Sequence, residues 1–585
     1  MSKKIYYLLA ILSCLIFFGL SFLSVYNDTL TSDEVSHISD GYYYLNTGRY
    51  FINPEHPPII KDLSALPLLV FNPELPDFEL EQEYYNPQWE YGRDFLFNSG
   101  NDPDQIVFWA RLAMCLGNML LLFLLFVLLE KIWSARAGLI AIFFIALSPT
   151  FLAHGSLATT DTIFSLFLML SITSFALWLK NFQAKKIAWL YFILAIFLTA
   201  GALLTKFSAF LILPVLFIGG LIYLLFSHKL KKTWWKYLVL FVVLGVAQIL
   251  LIGLFYAPHV MNMDSVGLQY QVDSNYPHNW PEIGRSYMEW STTQNSFFKG
   301  ITEYGIGVLM VRGRIASAWQ TIYFLGDVYG SEGAGVLYFP ILYLTKITFG
   351  FLLALLIAII FGIKNIVKNF KTSFKDLKIK PLVILLWGFI ILYAITSLTS
   401  KLQIGLRHIL PVMAAIYLLI GYVFDKQWNV KFGKSKKLKV KNLFLLIILL
   451  SFMGTLLAFP HYLSYYNVLA GGTENGYKIA TDSNYDWMNQ DIKRLAEYLE
   501  ENQIENYYGD IDVNFSAQYY LGDKQINFDI KNDALPNSGE YLIVSAENMQ
   551  RNDYQGEPVD FQKYSSFMPY LKDRVGMTLF VFQLP

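Results

Sequence analysis

A chain of 585 residues that is 55% hydrophobic and 17% aromatic, with only 15% charged residues, is too apolar for a soluble globular protein of this size. Its 45 basic and 45 acidic residues cancel, which implies no bulk polyanion partner and makes the placement of each charge the informative quantity. The two cysteines, Cys14 and Cys115, both fall in apolar segments, which argues against a disulfide framework.

Runs of about 20 apolar residues, the length an α-helix needs to cross the hydrocarbon core, recur eleven times, at roughly 5–26, 106–129, 137–151, 163–179, 187–204, 207–226, 237–257, 336–361, 381–398, 409–424 and 442–459. The first follows Lys3 and Lys4 but is longer than a signal-peptide core and has no small-x-small site after it, so it reads as a transmembrane helix. Basic residues gather in alternate loops: Lys131 and Arg136; Lys180, Lys185 and Lys186; Lys229, Lys231, Lys232 and Lys236; Lys364 through Lys380; Lys426 through Lys441. The positive-inside rule makes that side cytoplasmic, with the N-terminus inside and the C-terminus outside.

The long polar segments then share the exoplasmic face: a first loop over 27–105, a loop over 258–335 and a tail over 461–585 that follows a membrane domain of residues 1–460. The spacing of apolar residues predicts a surface helix over 491–502 in the tail. Buried strands are predicted over 540–546 and 577–583, and a weaker one over 506–513, which makes the tail a small α/β domain. The predicted fold class is a polytopic α-helical membrane protein of about eleven transmembrane helices, with amphipathic helices in the first loop.

The first loop opens with TSDEVSHISDGYYYLNTGRYFINPEHPPIIKDLSALPLL, residues 31–69. Asp33 and Glu34 after Thr31-Ser32 suit a helix cap, or a catalytic carboxylate if other groups converge on them. His56 and Lys61 flank Pro57-Pro58, after which 59–69 has the pattern of an interfacial helix. Such a helix holds Lys61 at phosphate depth, or lets it snorkel to headgroups. Farther on, Arg111 stands inside the second apolar run and Lys346 inside the eighth, Lys206 at the junction of the fifth and sixth, and Lys401, Arg407 and His408 between the ninth and tenth. An ionisable group in hydrocarbon costs about 2.5 to 3.5 kcal/mol by insertion scales, so cations gathered at one depth beside a carboxylate point to a phosphate site. Asp161, with His154 before it, sits on the same face and reads as a cap or a site residue. There is no P-loop, no GxGxxG after a strand and no HExxH, and the two Asp-x-Asp triplets, 102–104 and 510–512, read as a helix start and a strand end. His and acidic residues are too scattered to propose a metal site; the sequence itself calls for no cofactor and leaves a divalent metal open.

The first-loop residues Asp33-Glu34-x-x-His37 and His56-Pro57-Pro58-x-x-Lys61 resemble the first exoplasmic loop of protein O-mannosyltransferases. These are polyprenol-phosphate-dependent glycosyltransferases of the C-type membrane fold. Arg111, SPTFLAHGSLATTD at 148–161, LLTKFSAF at 203–210, SKLQIGLRHILPV at 400–412 and LSYYNVLAGGTENGYKIATDSNYDW at 463–487 are also similar to that group, so the resemblance spans residues 33 to about 499. It implies that Asp33, with Glu34 beside it, is the general base and that Lys61 and Arg111, with Arg407 and His408, bind phosphate; His56, Asp161 and Lys206 join them as substrate-binding candidates from their place on the same face. The implied reaction is inverting transfer of a sugar from a polyprenyl-phosphate donor to an acceptor hydroxyl of protein, lipid or glycan. The eukaryotic members carry a β-trefoil in a lumenal loop, and 258–335 is too short to hold one, which fits a bacterial member in the cytoplasmic (inner) membrane. The related enzymes that add aminoarabinose to lipid A have Glu-Lys where this chain has Glu55-His56. A transporter or flippase of a lipid-linked sugar is the rival reading; it calls for paired repeats, and none is visible.

Overall fold

Nine helices among the described residues are long and apolar enough to cross a membrane, and two further pairs reach that length across a sharp bend. These come from a computed structural model that describes residues 2–77, 87–182, 185–227, 230–317, 322–369, 380–430, 439–480, 483, 485–488, 490–511, 515–530, 532–550, 564 and 566–585. The nine are Lys3–Ser24, Pro103–Ile132, Asp161–Lys180, Lys186–Leu203, Phe207–Phe226, Thr233–Val260, Pro381–Leu398, Leu406–Gln427 and Val440–Ala458. Each coincides with a predicted run, and Asp161–Lys180 is enclosed along nearly its whole length by its neighbours. Of the basic residues used to orient the chain, Lys229, Lys371, Lys375, Lys378, Lys431, Lys434, Lys436 and Lys437 lie outside the described residues.

The two remaining runs, predicted as single spans, are broken. Ala135–Ala146 and Pro149–Ser156 meet at 72° because Ser148, held extended before a proline, cannot continue the first helix. Tyr338–Lys346 and Phe349–Lys364 meet at 116°, with Ile347 extended between them. The carbonyls released at that second bend are taken up by Asn467, whose Nδ2 donates to Leu344 and Ile347 at 2.7 and 2.8 Å and whose backbone N–H donates to Thr345 at 2.8 Å. Lys346 therefore faces the segment after the last span: its Nζ donates to the Leu463 carbonyl at 3.2 Å and lies 4.2 Å from the centre of the Tyr466 ring.

One face of the bundle carries the polar layer. The helix Ser32–Thr47 starts with a capping box between Thr31 and Glu34 and stops at Gly48, which takes the left-handed conformation at φ 65°. It packs on Ile59–Ala65 through Gly41, where an added Cβ would stand 2.2 Å from the Lys61 carbonyl. Leu66, Leu69, Val70 and Phe71 beyond that helix are exposed, as an interfacial segment requires. Within 258–335 lie the helices Ser265–Asn275, Glu282–Ser291 and Ser296–Ser317 and a hairpin of β1 (Ile322–Phe324) and β2 (Asp327–Tyr329).

The tail is the expected small α/β unit. β3 (Tyr507–Asp510), β4 (Gln525–Asn527), β5 (Tyr541–Ser545), β6 (Leu571–Val575) and β7 (Leu579–Gln583) form one sheet in the order β4-β3-β5-β7-β6. β3 runs parallel to β4 and β5, and β7 antiparallel to β5 and β6. The helix Ile492–Glu501 covers the sheet with Ile492, Leu495 and Leu499, whose spacing of three and four residues is the pattern that predicted it. β3, β5 and β7 match predicted strands; β4 and β6 are additions, the first too short and the second too charged to be read as buried.

Candidate active site

Asp33 and Glu34 are neighbours on a helix, so their side chains leave it about 100° apart. Glu34 turns inward and is completely buried. Arg111 Nε and Nη2 donate to its two oxygens at 3.0 and 2.7 Å, the Ala158 N–H donates at 3.1 Å, and the Thr31 backbone N–H and hydroxyl donate at 2.9 and 3.1 Å. The remaining Arg111 hydrogens go to the carbonyls of Val25, Asp28 and Thr29 at 2.9 Å. All five guanidinium N–H groups are thereby engaged within the fold. Burial pushes the Glu34 carboxyl up, but the paired Arg111 charge and these donors outweigh it and hold the group below the usual carboxylate range.

Asp33 turns the other way, toward a group of charged side chains, and is itself 24% exposed. Arg407 Nη1 donates to it at 2.7 Å across 374 residues of chain. The same nitrogen lies 3.9 Å from Asp161, whose other oxygen accepts from Lys206 Nζ at 2.9 Å. His154 Nδ1 is 3.8 Å from Asp161, and His408 is within electrostatic reach of Lys206, Arg407, Asp161 and Asp33. The result is an alternating row, Asp33, Arg407, Asp161, Lys206, in which each carboxylate holds a cation at the end of a membrane helix. Burial raises the Asp33 carboxyl, but Arg407, and after it His37, outweigh that effect and keep it ionised below the usual range.

Two histidines border this row. His37 Nδ1–H donates to the Ala158 carbonyl at 2.8 Å, which fixes the tautomer and leaves Nε2 as an acceptor. Its ring meets His56 edge to face with centroids 4.9 Å apart. Burial drives the His37 imidazole down to about 4, and burial with the nearby His37 and Lys61 drives His56 well below its ordinary value, so both are neutral at physiological pH. Arg314, from the helix Ser296–Ser317, donates to Glu55 at 2.7 Å and acts electrostatically on His56, as does Lys206. From the tail side, Trp487 lays its ring over Arg407, with the guanidinium carbon 4.1 Å from the ring centroid.

Lys61 is fully buried in a separate setting near the histidines. Its ammonium donates to the Asn53 carbonyl at 2.5 Å and sits 5.1 and 5.0 Å from the Tyr44 and Tyr50 rings. Asp40, with Asn53 beside it, and Glu303, both buried, lie within electrostatic range. Burial raises Asp40 to about 7 against the pull of Lys61, raises Glu303 well above its ordinary value, and lowers Lys61 to about 8.

Of the residues singled out in the sequence, Asp33, Asp161, Lys206, Arg407 and His408 come together, with His56 on the border. Glu34 with Arg111, and Lys61, lie in two neighbouring buried settings with their polar atoms turned to protein groups. Arg314 and Trp487 were missed as individual residues: Arg314 belongs to no motif, and Trp487 was visible only as the end of the juxtamembrane stretch. Among the described residues, no three His, Cys, Asp or Glu side chains cluster as a metal site would need.

Fold and site together define a multi-pass helical membrane protein with a carboxylate held among cations at one membrane face. Residues 8–263, which carry the first loop, Arg111, Asp161 and Lys206, match the model of the family described as dolichyl-phosphate-mannose-protein mannosyltransferase. The match covers less than half of the chain and agrees with the resemblance carried by the first-loop residues. Among solved structures, the chain is similar to ArnT from Cupriavidus metallidurans bound to undecaprenyl phosphate, at 13% identity over 99% of this chain and 98% of that one, with a TM-score of 0.42. It is similar to the oligosaccharyltransferase AglB from Archaeoglobus fulgidus in complex with an inhibitory peptide and a dolichol-phosphate, at 14% identity over 93% and 70% of the two chains and a TM-score of 0.46. A third similarity is to the S. cerevisiae Pmt1-Pmt2 complex bound to the sugar donor, at 17% identity over 45% and 34% and a TM-score of 0.36. No curated protein sequence matches the chain.

Proposed function

We propose that the protein transfers a sugar from a polyprenyl-phosphate donor to an acceptor hydroxyl at the exoplasmic face of a bacterial cytoplasmic membrane, with inversion at the anomeric carbon. The observation that carries this reading is the Asp33–Arg407 ion pair, set beside Asp161 and Lys206 where membrane helices end. A glycosidic alkoxide needs a second carboxyl to protonate it as it leaves. A sugar phosphate departs already stabilised, so fixed positive charge replaces that acid. Asp33 accepts the acceptor's proton as the hydroxyl oxygen attacks the anomeric carbon and the bond to the phosphate oxygen breaks. Lys206 and Arg407, with His408 beside them, neutralise the departing phosphate, and Asp161 holds both cations in place.

The same pairing couples binding to reactivity. A phosphate that draws Arg407 toward itself weakens the ion pair that makes Asp33 a poor base, so the carboxylate becomes more basic when the donor is bound. Phe210, exposed one turn beyond Lys206, supplies apolar surface on which a prenyl chain can leave the site. Arg111, with every N–H engaged, takes the role of shaping the loop that presents Asp33, and Lys61 supports the same loop from behind; this replaces the phosphate-binding role expected of both. The acceptor is a hydroxyl of a protein, a lipid or a glycan.

The test is a transfer assay in purified membranes with radiolabelled polyprenyl-phosphate sugars, comparing wild type with Asp33→Asn. Loss of transfer in the variant supports the reading. Equal transfer removes Asp33 from the mechanism, and uptake of donor into vesicles without transfer favours a transporter.

A further inference from the structure

The helix Glu282–Ser291, in the loop over 258–335, divides its residues among three faces. Gly284, Met288 and Ser291, spaced four and three apart, look into the protein: a Cβ on Gly284 would stand 2.5 Å from the Tyr276 hydroxyl, the Met288 methyl lies against Gly305, and Ser291 meets the Thr302 hydroxyl. Arg285 and Glu289 form the second face, joined at 2.8 Å, and Arg285 also pairs with Asp273. Ile283, Tyr287 and Trp290 repeat the inward spacing one position earlier, and all three are exposed, Ile283 at 81%. At about 100° per residue, this third stripe lies well away from the charged one. One aliphatic and two amphipathic aromatic side chains in an exposed row are costly in water and are the composition a membrane–water interface selects.

The helix stands at that level. The Trp290 ring lies 5.1 Å from Phe298, whose neighbour Phe297 fills the face of Gly253, where a Cβ would stand 2.6 Å from the ring. Gly253 is inside the span Thr233–Val260, about 10 Å below its end at a rise of about 1.5 Å per residue. That span has 28 residues, or about 42 Å, and exceeds the hydrocarbon core of about 30 Å, so Gly253 falls near the core boundary. Leu250 and Leu254, beside this contact, are exposed apolar residues of the same span. Lys299 reaches back from the turn to the Met263 carbonyl at 2.7 Å, past the end of the span, as a snorkelling lysine does. The carbonyls freed where the helix ends are taken up locally: the Ser291, Thr292 and Thr293 hydroxyls donate to Met288, Glu289 and Trp290 at 2.7, 2.8 and 3.1 Å. A helix end needs such internal pairing where water is scarce.

We infer that the helix Glu282–Ser291 is an in-plane anchor seated in the leaflet on the Asp33 side, with Ile283, Tyr287 and Trp290 among the upper acyl chains and Arg285 and Glu289 toward water. Phospholipid covers the stripe, because the stripe adjoins the exposed apolar side of a membrane span and lies at that span's depth. The next helix, Ser296–Ser317, springs from this anchor and carries Arg314 to Glu55, so the leaflet holds in place a helix that borders the Asp33 site. The seat in the leaflet does not depend on which reaction the site performs.

Full-length protein carrying Glu282→Cys, Ile283→Cys, Arg285→Cys or Trp290→Cys, with Cys14 and Cys115 buried, is spin-labelled and placed in phospholipid nanodiscs at one copy per disc. Power saturation then reads the collisions of each label with oxygen, which concentrates in lipid, and with a water-soluble nickel chelate. The ratio of oxygen to nickel collisions is expected to be severalfold higher at positions 283 and 290 than at 282 and 285. Equal nickel access at all four positions puts the stripe in water and overturns the inference. Protection of 283 and 290 from both reagents, in single-copy discs or on moving to two copies per disc, means that protein covers the stripe and overturns it as well. Wild-type protein supplies a test that needs no variant to fold: phospholipid with a diazirine high on its acyl chain should crosslink on illumination to the peptide over 282–291, and crosslinks confined to the membrane spans overturn the inference.

Discussion

Two adjacent carboxylates, Asp33 and Glu34, divide the work because a helix sends them in different directions. Asp33→Asn is expected to lower transfer by about a hundredfold to ten-thousandfold, the contribution of a general base, with only a small drop in Tm because Asp161 still faces Arg407. Glu34→Gln should do the reverse first: it leaves the buried Arg111 guanidinium without its counter-ion, a change that costs about 3–5 kcal/mol, visible as a drop in Tm before any kinetic effect is interpreted. Because Arg407 holds Asp33 of the free protein below the usual carboxylate range, wild-type kcat/KM should persist as pH falls through that range and fail only below it. Arg407→Ala should move the limb upward. Asp40 predicts a stability effect of opposite slope. Its folded-state value, raised to about 7 from an unfolded value of 3.8, means the native chain binds the extra proton between those limits. The contribution is fully present below 3.8 and lost as pH rises to about 7, so Tm should fall between about pH 4 and 7 and Asp40→Asn should flatten the change. The pair Asp33-Glu34 was legible in the sequence, and the cap as its alternative reading is met by Glu34. The division between them was not, because it depends on Arg111 and Arg407, residues 77 and 374 positions away.

At the scale of elements, apolar length was enough to find each of the nine long apolar helices among the described residues, since the hydrocarbon core sets that length. The two bends escaped it. The proline at 149 is a visible breaker, but hydropathy runs through it without a dip. The bend at Ile347 depends on Asn467, more than a hundred residues later, to take up its free carbonyls. The tail's attachment is a similar long-range device. Asp491 Oδ2 accepts from the N–H groups of Met577 and Thr578 at 3.0 and 3.2 Å and from the Thr578 hydroxyl at 2.8 Å, closing the β6–β7 turn onto the covering helix. Gly576 makes this approach feasible: it has φ 57°, and a Cβ there would stand 2.1 Å from the Asp491 carboxyl carbon. Gly576→Val should therefore loosen the hairpin, read as faster hydrogen exchange across 571–583, while the membrane helices keep their protection.

For the molecule as a whole, the arrangement of basic loops predicts one orientation, and the chain offers a simple way to check it. Cys14 and Cys115 are buried, so a single introduced cysteine is the reactive one. Lys4→Cys and Glu500→Cys place it at exposed positions at opposite ends of the chain. In intact cells stripped of outer barriers, an impermeant maleimide should label position 500 directly and position 4 only after the membrane is opened. Labelling of position 4 in sealed cells would reverse the topology and move the Asp33 site to the cytoplasmic side.

The first loop is stitched to the tail at several points: Thr29 to Gln490, Asp28 to Arg494 at 2.6 Å, and Asp104 to Lys493 at 2.5 Å. A ribosome delivers these partners hundreds of residues apart in time. The segment made soonest after the opening helix waits for the stretch made after the last one, so the frame around the first loop closes only when nearly all of the chain has been synthesised.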